Sequence, residues 1–160
     1  MTADSGPRTL LFFDERRETI LPYSSDAFKV STGPRERVLE RYLGITVLDR
    51  DGTIWRIDEI RFEHLWGESR WRRIFSFLNG GTRKISVTLR QAPEIRFSEM
   101  RQRAVDYITK RPALVEQYFD KTDPEQAVSQ AARSSTASEL FDALGAPAPL
   151  DCLDALIAGS

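Results

Sequence analysis

The chain has 160 residues, 41% hydrophobic and 29% charged, with a formal net charge of −1 at pH 7. That is about one domain of a globular protein, and no apolar run approaches the roughly 18 residues that span a bilayer, so a cytoplasmic protein without a membrane segment is expected. The single Cys152 excludes an internal disulfide and a cysteine-rich zinc site.

Residues 1–8 are small and polar around Gly6-Pro7 and are expected to fray. Thr9 to Phe13 reads as a buried strand, Asp14 to Glu18 as a charged turn, and Thr19 to Leu21 as a short return strand stopped by Pro22. A further strand candidate covers Ala27 to Val30, followed by the loop Ser31-Thr32-Gly33-Pro34. Val38, Leu39, Tyr42 and Leu43 fall at helical spacing ahead of Gly44, which predicts a short helix over Arg35 to Leu43, with a strand as the competing reading. Ile45 to Leu48 and Thr53 to Ile57 flank Asp49-Arg50-Asp51-Gly52, a hairpin in which Gly52 supplies the left-handed turn position. Ile60-Arg61-Phe62 extends the second strand, and Asp58-Glu59 breaks the alternation, as a bulge or bend would. His64 to Arg70 reads as a loop or a single turn.

The stretch from Arg72 to Gln91 organises the reading. Two apolar-rich runs flank Asn79-Gly80-Gly81, and in the second Ile85, Val87 and Leu89 alternate with Lys84, Ser86, Thr88 and Arg90. That is the pattern of a half-buried antiparallel strand. A three-residue loop would set Phe75 opposite Ile85 and Phe77 opposite Arg83.

After Ala92-Pro93 the pattern turns helical. Ser98 is an N-cap candidate for a helix lined by Ala104, Val105 and Ile108, and Lys110-Arg111 suit its C-terminal end. Pro112 opens a second helix with Leu114, Val115, Tyr118 and Phe119. Asp123-Pro124-Glu125-Gln126 starts a third, to about Arg133, and Thr136 with Glu139 starts a fourth that carries Leu140, Phe141 and Leu144 to Gly145. Ala146-Pro147-Ala148-Pro149 is a stiff spacer, and Leu150 to Ile157 reads as a last short helix.

Strands first and helices afterwards predict an α+β fold: an antiparallel β-meander with N-terminal and central hairpins, covered on one face by C-terminal helices. The expected organisation is a disordered 1–8, an α+β domain over 9–121, and a helical extension over 122–160 packed on it or loosely attached. Residues 50–111 hold 14 basic and 8 acidic side chains, whereas residues 112–160 hold 2 basic and 8 acidic. Attraction between these two parts of one fold is preferred to an anionic partner as the meaning of that asymmetry. The Ala-Ser stretch from Ala127 to Ser138 offers few large apolar side chains, so the segment from Thr122 onward is expected to be the least stable.

Candidate sites are sparse. His64, the sole histidine, stands among Glu59, Glu63 and Glu68, and without a second histidine, a nucleophile motif or a phosphate loop it reads as a packing or surface residue. No metal, cofactor or catalytic residue is assigned. Trp66, Arg70, Trp71, Arg72, Arg73 and Phe75 interleave aromatic and guanidinium groups, and Lys84 and Arg90 continue the basic character onto the next strand. These residue types dominate protein-binding hot spots and also stack on bases and contact phosphates. The basic residues of 96–111 are diluted by Glu94, Glu99 and Asp106, and Glu99 with Arg103 suits a salt-bridged helix surface.

The leading expectation is a non-enzymatic interaction protein that binds another protein through the aromatic-arginine segment. By size and absence of motifs it fits a bacterial immunity-type or adaptor protein, whose partner would be a toxin or a secretion component. The alternative is a nucleic-acid accessory protein using segment 66–90, against which stands the acidic total, with a pI near 5.9.

Overall fold

A computed structural model of the chain describes residues 8–31, 35–62, 83–119, 121–145, 149–151 and 153. The fold is α+β, with six strands in one curled antiparallel sheet and four C-terminal helices packed against it. Strands β1 (Thr9–Asp14) and β2 (Thr19–Ser24) form the first hairpin, from Thr9 opposite Ser24 to Asp14 opposite Thr19. Asp14 closes β1 rather than opening the turn. Its buried carboxylate accepts from the backbone N–H groups of Arg16 at 3.1 Å and Arg17 at 3.2 Å, donors that the turn would otherwise leave unmatched. β2 continues through Pro22, where a stop was expected. The Pro22 carbonyl accepts from Leu150 N–H at 3.0 Å on the side away from β1, so the missing proline N–H falls on the sheet edge and leaves the ladder to β1 intact.

The strand expected over Ala27 to Val30 is instead a 3₁₀ turn, Ser25–Lys29, with only Val30–Ser31 extended as β3. The Ser24 hydroxyl accepts from Asp26 N–H at 3.3 Å, a local bond that competes with extended chain. Helix α1 (Arg35–Tyr42) buries Val38 and Tyr42, and Gly44 follows at φ +81°, as the helical reading requires. Strands β4 (Thr46–Asp49) and β5 (Ile54–Phe62) meet with Leu48 opposite Ile54, and Gly52 takes φ +92° in the turn between them. β6 (Arg83–Gln91) pairs with β5 from Gln91 opposite Trp55 to Ile85 opposite Phe62, and the register slips between Ile57 and Glu59, where the alternation breaks. Strand order is β2-β1-β4-β5-β6-β3.

Both faces of this sheet are buried around β1, which explains why Leu10 to Phe13 read as a continuous apolar run. On the inner face Leu10, Phe12, Leu21, Tyr23, Val47 and Ile57 pack with Val38 and Tyr42 of α1. On the outer face Leu11, Phe13, Ile20, Leu48 and Ile54 pack under α2 (Phe97–Lys110), α3 (Ala113–Tyr118), α4 (Pro124–Arg133) and α5 (Ala137–Leu144). Ala104, Ala127, Ala131, Ala137 and Ala143 are buried in that layer, so small side chains take part in its packing beside the larger ones.

The starts of α4 and α5 follow local chemistry, whereas α2 and α3 begin without a side-chain cap bond. Asp123 accepts from Glu125 N–H at 3.1 Å and Gln126 N–H at 3.2 Å, and Thr136 accepts from Glu139 N–H at 3.2 Å. The Glu139 carboxylate accepts from the backbone N–H and hydroxyl of Ser135, which holds its pKa below the usual carboxylate range. Ser98 is not the cap of α2; Arg96 takes that place without a side-chain bond, and Ser98 lies in the first turn. At the C-terminus Leu150 and Leu153 are extended, each in a bridge to the sheet, where a helix was expected. The first half of the central hairpin, with the Phe75 and Phe77 register, lies outside the described residues, as do residues 1–7, the His64 to Arg70 loop and Cys152. Among the described residues no helix is long and apolar enough to cross a membrane.

A cationic sheet face left open by the helices

The outer face changes character along the strand order. Directly opposed residues share a face, so the pairs Ile20–Phe13, Phe13–Thr46, Thr46–Arg56 and Arg56–Arg90 trace one row from β2 to β6. Ile20 and Phe13 are fully buried under the helices, Arg56 is half-buried, and Arg90 is exposed. In this row the helical cover ends between Thr46 of β4 and Arg56 of β5, while Ile54, two residues earlier on the same face of β5, still lies under it. Thr46 sits at that border, 1% exposed, with no hydrogen-bond partner for its hydroxyl among the described residues.

Beyond the border the outer face of β5 and β6 carries Arg56, Glu59, Arg61, Lys84, Ser86, Thr88 and Arg90, none of them buried. Thr88 stands opposite Glu59 and Ser86 opposite Arg61. Alternate residues of β6 recur about every 6.8 Å along the strand, so Lys84 and Arg90 sit toward opposite ends of the face. Two ion pairs lie within it. Arg61 Nε donates to Glu59 at 2.9 Å, which raises the Arg61 pKa, and Arg90 Nε lies 3.5 Å from the Asp58 carboxylate on the bulge. Arg56 and Lys84 have no ion-pair partner among the described residues. The face thus has an unmatched positive balance, and its exposed ion pairs can exchange partners at little cost.

Of the eight residues singled out from the sequence, the structure brings Lys84 and Arg90 onto one face; Trp66, Arg70, Trp71, Arg72, Arg73 and Phe75 lie outside the described residues. Arg56 and Arg61 were not singled out. Their signal was present in β5, whose polar positions are 56, 58, 59 and 61, but the bulge shifts the phase and hides which of them share a face with Arg90. Of the carboxylates around His64 only Glu59 is described, and Arg61 occupies it. The helix surface pairs differently from expectation. Arg103 bonds Glu15 of the first turn at 2.6 Å rather than Glu99, because α2 lies across β2 and brings the turn within reach. Lys110 likewise pairs with Glu18 of that turn, and Arg101 donates to the Ser134 carbonyl at 2.9 Å. These basic groups are tied into the fold.

The depressions formed by the described residues are shallow. One of about 300 Å³ is lined by Glu116, Phe119, Lys121 and Thr122, and one of about 360 Å³ lies between the Asp51–Ile54 turn and the segment after β6. Neither brings together groups that could act as base and nucleophile, and no cluster of three metal-ligating side chains occurs among the described residues. The chain matches no protein family, no curated protein and no solved structure.

Proposed function

We propose that the protein is a cytoplasmic, non-enzymatic interaction protein that docks another protein on the open β5–β6 face, with the aromatic-arginine segment 66–75 adjoining it in sequence as a second contact. A bacterial immunity-type or adaptor role is the reading of this make-up. The observation that carries it is the end of the helical cover after Ile54 of β5, beyond which Arg56 and Lys84 stand without ion-pair partners among the described residues. An open two-stranded surface of this charge suits a partner whose docking surface is acidic, since complementary charge speeds encounter and fixes register. Arg56 with Arg90 directly opposite would meet a carboxylate pair, because guanidinium groups bind carboxylates in a two-pronged geometry.

A photo-crosslinking residue at Ser86 or Thr88, both exposed on the face, tests this against the same residue at Gln130 on the exposed side of α4. The expected result is one discrete protein adduct in native lysate from the sheet positions and none from Gln130, lost when Arg56→Glu and Lys84→Glu are combined. Equal adducts from both surfaces would remove the proposal. Adducts that vanish on nuclease treatment would place nucleic acid on the face instead, with the steep salt dependence of phosphate contacts.

A further inference from the structure

The strand order ends in β2 on one side and β3 on the other, and the same short C-terminal segment is bonded to both. Ser24 N–H donates to the Leu150 carbonyl at 2.7 Å, Leu150 N–H to the Pro22 carbonyl at 3.0 Å, and Leu153 N–H to the Val30 carbonyl at 3.0 Å. Leu150 is thus bridged to Tyr23 and Leu153 to Ser31, both in parallel sense, unlike the antiparallel pairs between the six strands. The segment spans the gap between the two ends of the curl.

Two kinds of recognition are combined in this seam. The backbone bonds answer edge groups of β2 and β3 and place no demand on the side chains of the incoming chain, as in strand addition to an exposed edge. The side-chain demand comes from Leu153, which is fully buried in the inner core, while Leu150 packs half-buried against the same cluster and Asp151 between them is exposed. An occupant must therefore be extended, with leucine at two positions three apart and a polar residue facing out. The spacer residues 146–149 precede the segment, and α5 ends at Gly145 with φ +62°. In sequence, three residues separate Gly145 from Pro149.

We infer that the seam between β2 and β3 is a peptide-binding site whose resident ligand is held there by the chain's own Leu150 and Leu153, and that it accepts an extended Leu-x-x-Leu peptide of the same kind presented in trans. It does not depend on the reading of the β5–β6 face. The tether gives the resident segment a high effective concentration, so the site is closed to a trans peptide until that segment is released.

The test uses the full chain carrying Leu153→Asp, which replaces the buried leucine with a charge and frees the seam, and a fluorescein-labelled peptide spanning residues 149–160 of the natural sequence. The peptide should bind the variant saturably by fluorescence anisotropy and bind the unmodified chain at least about tenfold more weakly. The same peptide carrying Leu153→Asp should bind neither. Equal binding to both chains, or binding to neither, overturns the inference. Where the variant chain has lost its far-UV spectrum, a specific protease site inserted between Gly145 and Pro149 of the unmodified chain replaces it. After cutting, the segment should stay with the protein on gel filtration and be displaced by excess labelled peptide. Departure without rebinding, or retention that excess peptide does not displace, overturns the inference equally.

Discussion

The two faces of the sheet are buried by different means. Inside the curl, Phe12 stacks on Tyr23 at 4.2 Å between ring centroids and on Phe28 at 5.6 Å, with Tyr42 edge-on at 6.5 Å and its hydroxyl bonded to that of Tyr23 at 2.9 Å. Outside, the helices meet one another and the strands through a layer in which Ala104, Ala127, Ala131, Ala137 and Ala143 are buried beside Leu140, Phe141 and Leu144. The first region depends on volume and ring geometry from few residues; the second depends on backbones approaching closely over many. A segment poor in large apolar residues is therefore not for that reason poorly packed.

Removing volume should hurt the inner face most. Phe12 is 2% exposed and touches three rings, so Phe12→Ala should lower the unfolding free energy in urea by about 3–5 kcal/mol. A loss below about 1 kcal/mol would show that the ring cluster adds little beyond its outer counterpart. Adding volume should hurt the outer face instead. Ala131 is fully buried where α4 packs, and Ala131→Leu should cost about 1–3 kcal/mol by the same measurement. A stabilised Ala131→Leu protein would mean that the layer has unfilled space.

The smallest effect separates packing from charge in holding the helices. Arg50 of the β4–β5 turn pairs with Asp142 of α5, donates to the Ser138 hydroxyl at 3.3 Å and lies over the Phe141 ring. Both charged side chains are more than half exposed. Asp142→Asn should therefore cost at most about 1 kcal/mol, and the difference from the natural chain should shrink as salt is raised. A larger, salt-independent loss would make charge rather than packing the principal hold on α5.

What the sequence determined by itself was local. The hydrophobic run of β1, the Gly52 turn, the bulge at Asp58-Glu59, and the starts of α4 and α5 each depend on residues within a few positions of one another, where dihedral preference, periodicity and capping act directly. Half of the face was legible in the same way, because strict alternation puts Lys84 and Arg90 on the wet side of β6. The tertiary structure decided what requires partners far apart in the chain. It placed Arg56 beside Arg90, gave Arg103 to Glu15, and drew Leu150 and Leu153 out of a helical pattern onto β2 and β3. Each depends on groups distant in sequence: the β5–β6 register, the crossing of α2 over β2 and, for the last, open strand edges. A side chain's spacing states which conformation suits it, but edge N–H and C=O groups left unmatched elsewhere in the fold determine where a weakly committed segment finds its bonds.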